Sequence, residues 1–347
     1  MQVLSGVVFI RSSMVDMESQ IQIDRGVVIH GGVGTLSAAA LTDEIAASYR
    51  AVLTESLLAG SAVIQSGGPA VDATVAAVQI MEDSELFNAG RGSNFDERGV
   101  ITMDASIMDG ATLDAGAVAG VTNVRSPVHL AQLIMARSEH LMLIGEGAES
   151  FARSQGVDVT EPSFFHTQRR WDEMQRAKER GESARPNVLG DADDAMAPAS
   201  ADGAPISAEG KSGTVGAVAL DSAGHLAAAT STGGMANKMW GRVGDSPVIG
   251  AGTYASALCA VSCTGWGEYF IRNAIAFDVH ARMAYTGATL AEATHAVIFE
   301  TLQKQVPGSG GMCALDAQGR VELCFNTPGM YRGWIGEDGE PHVGIFR

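Results

Sequence analysis

The ten residues from Ser212 to Asp221 mark a change in the character of the chain. The residues before Gly213 are polar or rich in Pro, Gly and Ala and show no apolar period, whereas a nearly continuous apolar stretch begins at Thr214. A short apolar run of this kind predicts a buried β-strand. A hydroxyl residue therefore stands where a region without core-forming residues gives way to a region that must be packed.

A cut between Gly213 and Thr214 would turn this boundary into a catalytic group. Thr214 would then carry a hydroxyl nucleophile and a free α-amino group, whose ordinary pKa of about 8 suits a general base. The alternative interpretation is that the Gly-Thr pair simply opens a strand. The dipeptide alone does not decide between the two.

Composition limits the classes of protein that the chain can represent. With 347 residues and 46% hydrophobic content, it is long and apolar enough for a packed core. A formal net charge of −17 argues against nucleic acid or an anionic membrane as a partner, because phosphates would be repelled. No stretch is long and apolar enough to predict a membrane span.

The cysteines indicate the compartment in which the chain works. Cys259, Cys263, Cys313 and Cys324 show no CxxC spacing and lie in apolar runs. Buried thiols are therefore expected, rather than a zinc site or a disulfide framework. This pattern predicts a reducing, cytoplasmic environment.

Two segments fall outside the periodic pattern. Residues 1–25 are interpreted as an N-terminal extension and lead-in, since their apolar part is short and lacks signal-peptide flanks. Residues 178–212 are predicted to be a flexible linker, because they lack apolar bulk. The remaining parts, 26–213 and 214–347, alternate between strand and helix patterns and are predicted to form one domain of sheets covered by helices.

The predicted elements begin with a buried strand at Gly26–Gly34 that runs into a glycine loop without dinucleotide-binding spacing. His30 in this strand is interpreted as a packing residue. Hairpins are predicted around the turns that follow Asp221 and Asp316. The helices predicted from capping and apolar spacing run from Thr42 to Ala59, Pro69 to Met81, Ser126 to Ser138, Glu268 to Tyr285 and Leu290 to Lys304.

Polar groups cluster after Thr214. Thr232 ends the strand predicted to pair with the strand that begins at Thr214, so a hydrogen bond between the two threonines is expected. The segment Ser262–Glu268 places a hydroxyl and backbone N–H groups before a helix, where an oxyanion can be stabilised.

Arg242 and Asp245 set opposite charges three residues apart in a glycine-rich turn. Such a pair suits a zwitterion, because guanidinium binds a carboxylate and the carboxylate binds an ammonium group. The alternative is a surface turn with an internal salt bridge of little energetic value.

The irregular segment Met81–Gly92 follows a helix, so several of its carbonyl groups lack helical partners. A loop of this kind can wrap a cation. An ordinary connecting loop is the alternative.

Eight short motifs follow one another in a fixed order along the chain: Ile29–Gly32, Phe87–Gly90, Met103–Ala105, Met108–Gly110, Gly213–Val218, Thr230–Gly234, Gly241–Asp245 and Ser262–Gly267. In this order they resemble the motifs of plant-type L-asparaginases, which are also isoaspartyl peptidases and belong to the N-terminal-nucleophile hydrolases. The resemblance extends from Gly26 to Arg347, apart from the linker.

The resemblance implies a four-layer αββα fold and autocatalytic cleavage after Gly213, so that the precursor, or zymogen, matures into an α subunit and a β subunit starting at Thr214. It implies that Thr214 is the nucleophile, assisted by Thr232, and that Thr264 and Gly265 bind the oxyanion. Substrate binding is assigned to Arg242, Asp245, Thr264, Gly265 and Gly267.

The resemblance also implies a structural sodium ion and no cofactor for catalysis. The sodium ligands would be the main-chain carbonyl groups of Met81, Glu82, Ser84, Phe87, Ala89 and Arg91, and Asn88 would order the site. Trp266 departs from the family pattern, where a smaller or polar residue is usual, which leaves the leaving-group preference open.

The expected activity is hydrolysis of the β-carboxamide of asparagine and of β-aspartyl dipeptides, in a dimer of αβ units. One alternative is a glycosylasparaginase, whose leaving group is a sugar amine. Another is an uncleaved protein that binds aspartyl compounds.

Overall fold

The computed structural model describes residues 21–34, 41–179 and 213–346. Up to residue 179, its elements in chain order are β1 Gly26–Gly34, α1 Asp43–Gln65, α2 Ala70–Glu82, β2 Met103–Asp109, β3 Ala115–Val121, α3 Pro127–Arg137, β4 Met142–Ile144, α4 Gly145–Ser154 and α5 Gln168–Glu179. From residue 213 onward they are β5 Val215–Leu220, β6 Leu226–Thr232, β7 Thr253–Ala255, β8 Cys259–Gly265, α6 Gly267–Asn273, α7 Ile275–Thr286, α8 Leu290–His295, a π-helical segment Ala296–Leu302, α9 Gln303–Gln305, β9 Gly310–Asp316, β10 Val321–Phe325, β11 Gly329–Ile335 and β12 His342–Phe346.

Two sheets form the centre of the fold. The larger has the strand order β12-β11-β1-β5-β6-β2-β3-β4, and the smaller has the order β10-β9-β8-β7. Neighbouring strands are antiparallel except for the parallel pair β3 and β4. Strand β5, which follows Thr214, therefore lies in the middle of the larger sheet between β1 and β6.

Three apolar clusters separate four layers. The first packs α1, α2 and α3 on the outer face of the larger sheet, through residues such as Leu53, Leu57 and Val78. The second lies between the sheets and includes Val218, Ala228 and Leu315. The third packs α6, α7 and α8 on the smaller sheet. The predicted αββα architecture is confirmed.

The predicted helix starts agree closely with the structure. Thr42 caps α1, where its Oγ1 accepts a hydrogen bond from Ile45 N at 3.3 Å. Pro69 precedes α2, and Ser126 caps α3. Helix α1 continues to Gln65, six residues beyond the predicted end at Ala59.

The helix predicted from Glu268 to Tyr285 is in fact two helices. Ala274 separates α6 from α7 and adopts a left-handed conformation with φ 47° and ψ 50°. The first free N–H groups of α7 donate to a neighbouring loop: Ala276 N to Ala251 O at 3.1 Å and Phe277 N to Gly250 O at 2.9 Å. These contacts offset the loss of helical hydrogen bonds at the break.

The two segments outside the periodic pattern have different outcomes. Ile23 N donates to Gly319 O at 2.8 Å, so the end of the predicted lead-in contacts the fold. Helix α5 includes Lys178 and Glu179, so the linker does not begin at residue 178. Residues 1–20 and 180–212 lie outside the described residues. Within those described, no helix is both long and apolar enough to cross a membrane.

Candidate active site

Thr214 lies directly before β5, and Thr232 ends the neighbouring strand β6. The two side chains are buried, and the Thr214 hydroxyl donates to Thr232 Oγ1 at 3.1 Å. Thr232 Oγ1 also accepts from Gly234 N at 3.0 Å. The turn after β6 thus fixes the oxygen atom that contacts the Thr214 hydroxyl.

Thr264 approaches Thr214 from the smaller sheet. Its Oγ1 accepts hydrogen bonds from Thr214 N and from Val33 N, each at 3.3 Å. Gly265 follows with φ +153°, and a Cβ atom there would lie 2.4 Å from Ser309 O. Glycine at this position allows the end of β8 to pack against the loop before β9.

The Gly213–Thr214 peptide packs directly on the glycine loop that ends β1. A Cβ atom at Gly32, where φ is +104°, would lie 2.2 Å from Gly213 Cα and 2.8 Å from Gly213 C. A Cβ atom at Gly213 would lie 2.9 Å from Gly31 O. Only glycines allow this backbone contact. The predicted glycine loop therefore packs against the predicted cleavage point.

His30 contacts the carbonyl group of Thr214, a relation that the sequence did not indicate. Burial lowers the pKa of His30 to about 3, so its ring is neutral at physiological pH. Its Nδ1 lies 2.9 Å from Thr214 O and its Nε2 lies 2.9 Å from Ser262 Oγ. Nδ1–H therefore donates to the carbonyl group, and Nε2 accepts from the serine hydroxyl. This packing histidine also holds Thr214 in place.

Arg242 and Asp245 are brought together on either side of Gly267. A Cβ atom at Gly267 would lie 2.8 Å from Arg242 Nη2 and 2.8 Å from Asp245 Oδ1. The absence of a side chain there leaves a small space between a cation and a carboxylate. This geometry can receive the α-amino and α-carboxylate groups of an amino acid.

Asp245 is buried, and among the described residues its Oδ2 has no hydrogen-bond partner. Burial raises the pKa of Asp245 to about 7, although Arg242 acts in the opposite direction. A buried carboxylate without a partner is costly, and an incoming ammonium group would offset that cost.

Glu268 is another residue of this site that sequence reasoning missed, because it was interpreted only as a helix-start residue. Its Oε1 accepts from Arg242 Nε and its Oε2 accepts from Arg242 Nη2, both at 2.9 Å. The salt bridge therefore joins Arg242 to Glu268 rather than to Asp245. The Nε and Nη2 edge of the guanidinium group is already occupied, which leaves Nη1 for other ligands.

Asn88 links the irregular loop after α2 to the turn after β6. Its side-chain Nδ2 donates to Gly234 O at 2.7 Å, and its main-chain carbonyl oxygen accepts from Gly233 N at 3.0 Å. Because Gly234 N also donates to Thr232, Asn88 is two hydrogen bonds away from the Thr232 hydroxyl.

Lys238 holds the same turn from the other side. Its buried Nζ donates to Gly233 O at 2.5 Å and to Thr102 O at 2.6 Å. Burial lowers the pKa of Lys238 to about 8. The sequence motif around it gave no sign of this role.

Trp266 lies at the N-terminal end of α6, with its ring edge-to-face against Tyr269 at a centroid distance of 5.1 Å. Trp266 is two residues from Glu268, and its side chain contributes to lowering the pKa of that carboxyl group.

The candidate cation loop packs its carbonyl groups around two glycines. A Cβ atom at Gly90 would lie 2.2 Å from Glu82 O, and one at Gly92 would lie 2.0 Å from Phe87 O. Neutral carbonyl oxygens gathered in this way suit a hard cation of low charge. The structure thus brings the carbonyl groups of Glu82 and Phe87 close to the glycines of this loop. The sodium ion and its six ligands stay a prediction.

Comparison with known proteins identifies the class. The αββα fold, with Thr214 before an inner strand, is that of the N-terminal-nucleophile hydrolases, and residues 23–345 match the asparaginase family. An isoaspartyl peptidase of Salmonella typhimurium is 46% identical over 322 residues, covering 92% of this chain and 98% of that protein. A plant-type L-asparaginase of Thermococcus kodakarensis is 37% identical over 322 residues, covering 92% of this chain and 99% of that protein.

An isoaspartyl peptidase/L-asparaginase of Danio rerio is 40% identical over 326 residues, which cover 92% of this chain and 94% of that protein. The chain belongs to the asparaginase family that contains these isoaspartyl peptidases and plant-type L-asparaginases.

Proposed function

We propose that this protein hydrolyses the β-carboxamide of L-asparagine and the β-peptide bond of isoaspartyl dipeptides, and that it releases aspartate. The names of the relatives support this activity. The observation that carries it is the position of Thr214, which contacts both Thr232 and Thr264 beside a two-charge binding space.

Maturation would use the same threonine. The Thr214 hydroxyl attacks the Gly213 carbonyl carbon, an ester replaces the peptide bond, and the Thr214 nitrogen becomes a free amine. Water then cleaves the ester, which leaves a carboxylate on Gly213. The contact of His30 with the Thr214 carbonyl group and the packing of Gly32 on Gly213 support this step, because they hold the peptide from both sides.

In the mature enzyme, the α-amino group of Thr214 would accept the proton of its own hydroxyl. The hydroxyl oxygen attacks the substrate's side-chain carbonyl carbon, and Thr264 and Gly265 stabilise the oxyanion. The leaving amine departs with a proton and leaves an aspartyl ester on Thr214. Water then hydrolyses the ester to aspartate. Thr232 Oγ1, fixed by Gly234 N, orients the nucleophile.

Substrate recognition would use the space beside Gly267. Asp245 accepts hydrogen bonds from the α-ammonium group, and the Nη1 side of Arg242, which Glu268 does not contact, binds the α-carboxylate. Gly234 connects the two parts of the site, because it hydrogen-bonds Thr232 and lies beside Arg242 Nη1. Only a substrate with a free amino acid head group satisfies both charges.

Two further features belong to the proposal. A sodium ion held by the carbonyl groups of the 81–91 loop would stiffen the segment that carries Asn88. Assembly into a dimer of αβ units and a cytoplasmic location are proposed from the family resemblance and from the buried thiols of Cys259, Cys263 and Cys313.

The activity is tested by comparing three substrates on the purified protein: L-asparagine, β-aspartyl-leucine and a glycosylated asparagine. We expect turnover of the first two, detected as aspartate. Preferential cleavage of the glycosylated substrate would support a glycosylasparaginase instead. Binding of aspartyl compounds by an uncleaved chain without turnover would support a binding protein.

A further inference from the structure

Arg242 has two carboxylates within its reach. Glu268 occupies the Nε and Nη2 edge of its guanidinium group at 2.9 Å, and Asp245 lies across the space above Gly267. The Arg242 side chain is 14% exposed and that of Glu268 is 35% exposed, so the ion pair is only partly screened by water. Glu268 pairs with Arg242 through both of its carboxylate oxygens, whereas buried Asp245 has one oxygen without a hydrogen-bond partner among the described residues.

We propose that Glu268 is a positioning residue that holds Arg242 away from Asp245. It thereby keeps the space beside Gly267, between these two side chains, open for the substrate. This inference rests on the proposed role of Arg242 and Asp245 in binding the amino acid head group. Without Glu268, the guanidinium group would turn toward Asp245 and form an internal ion pair. That pair would fill the space beside Gly267 and satisfy both charges that the substrate must otherwise satisfy.

In the absence of Glu268, the geometry favours an ion pair between Arg242 and Asp245 over an open space between the two side chains. A point above Gly267 lies 2.8 Å from both Arg242 Nη2 and Asp245 Oδ1, so a small movement of the guanidinium group joins them. Gly234 and Gly244 border Arg242 Nη1, so neither residue places a side chain against the guanidinium group. Removal of one partner of a buried ion pair leaves an uncompensated charge, and a nearby opposite charge then becomes its partner.

Glu268 lies in the first turn of α6, directly after Gly267. Although burial opposes ionisation, hydrogen bonds from Arg242 and from the Trp266 side chain hold the pKa of Glu268 below its ordinary value. Glu268 therefore remains a carboxylate over the pH range in which Asp245 titrates. The ring of Trp266 is held in turn by Tyr269.

The proposal predicts a change in pH dependence that simple loss of structure would not produce. In the parent protein, Asp245 must lose its proton, at a pKa of about 7, before it can bind an ammonium group. In Glu268→Gln, pairing with Arg242 would lower that pKa. The other groups facing Asp245 are Asp104 and Cys263, and Lys238 faces both Asp104 and Arg242; the substitution leaves all of them in place.

The experiment measures binding of L-aspartate to the purified, self-processed protein by calorimetry between about pH 5.5 and 8.5. For the parent we expect affinity to rise with pH through about 7. For Glu268→Gln we expect the affinity for L-aspartate at pH 8 to fall by about tenfold or more. We also expect the inflection of the curve of affinity against pH to move down by at least about one pH unit. The turnover number kcat should change less than KM.

Two variants provide controls. Asp278→Asn breaks a comparable ion pair with Arg282 on α7, with an N–O distance of 3.1 Å, and should bind aspartate like the parent. Glu268→Asp retains the charge and should restore the parental inflection, even if its affinity is lower. It also keeps the proposal testable if Glu268→Gln does not fold.

Unchanged affinity in Glu268→Gln, or weaker affinity with an unchanged inflection, would overturn the proposal. Failure of the parent to bind aspartate would overturn it as well. If the parent binds aspartate but hydrolyses no substrate, the proposed activity fails, while the shift of the inflection still decides the role of Glu268.

Discussion

Asp245 shows at the residue scale how a proposed binding site can reduce the stability of its own fold. The residue is buried, and within the described part of the chain its Oδ2 lacks a hydrogen-bond partner. Burial raises its pKa from 3.8 to about 7. An acid with a raised pKa binds more protons in the folded state than in the unfolded state, so the free energy of unfolding falls as pH rises from about 4 to 7.

Asp245→Asn should therefore stabilise the protein at pH 8, on the order of 1–3 kcal/mol, while it weakens substrate binding. The gain should disappear near pH 4, where the parental carboxyl group is protonated in the folded state. Thermal unfolding at both pH values measures this difference, with Asp278→Asn as the control. Equal melting temperatures for the parent and Asp245→Asn at pH 8 would contradict the account.

Arg242→Lys should reduce kcat/KM by about 30- to 150-fold, which corresponds to a loss of about 2–3 kcal/mol. A lysine ammonium group is a point charge and cannot pair with Glu268 while it also presents a second N–H edge to the substrate. Self-cleavage should survive, because the Gly213–Thr214 peptide does not use the space between Arg242 and Asp245. Steady-state kinetics measures the first effect and a denaturing gel the second. Parental kinetics in the mutant would show that Arg242 does not bind the substrate.

The residues that the sequence did not reveal act over long separations. His30 and Thr214 are 184 positions apart, yet they share a 2.9 Å contact. Glu268 and Arg242 are 26 positions apart and meet only because α6 begins beside the 241–245 turn. A short motif displays neighbours along the chain, whereas these contacts depend on how strands and helices are arranged in space.

At the element scale, Asp221 joins a hairpin to a helix. Its Oδ1 accepts from Ala223 N at 2.9 Å and from His225 N at 3.0 Å within the turn between β5 and β6. Its Oδ2 accepts from Ala70 N at 3.0 Å, at the start of α2, where Pro69 provides no side-chain cap. One buried carboxylate thus satisfies N–H groups of two elements.

Asp221→Ala should lower the free energy of unfolding by about 2–4 kcal/mol, since three backbone N–H groups lose their acceptor in a buried setting. Chemical denaturation measures this loss. Asp338→Ala is the matched control, because exposed Asp338 accepts, from the residues that the structure describes, only the hydrogen bond of Glu340 N in a surface turn. A loss for Asp221→Ala no larger than that of the control would show that water replaces the lost contacts.

The helices also show why some of their boundaries can be predicted from the sequence and others cannot. Thr42 and Pro69 signal the starts of α1 and α2 through local chemistry, and the structure agrees with both. The break at Ala274 carries no Gly or Pro signal, and the apolar pattern continues across it. The two hydrogen bonds from α7 to the 250–251 loop offset the cost of the break, and only the folded chain reveals them.

At the scale of the whole molecule, the layered architecture follows from the alternation of strand and helix patterns together with the family resemblance. Strands β5 and β6 lie in the inner part of the larger sheet, and β8 brings Thr264 from the smaller sheet to Thr214. The site therefore lies where the two sheets meet. The direct contact between Gly32 and Gly213 depends on this arrangement, and the composition of either segment alone does not predict it.

The central claim is that Thr214 cuts the chain before itself and then acts as the nucleophile. The most direct measurement is intact mass combined with N-terminal sequencing of the purified protein, for the parent and for Thr214→Ala. The account predicts two chains from the parent, one of them beginning at Thr214, and a single uncut, inactive chain from the mutant. A mutant that still separates into these two chains, or a parent that hydrolyses β-aspartyl-leucine as one uncut chain, would contradict it.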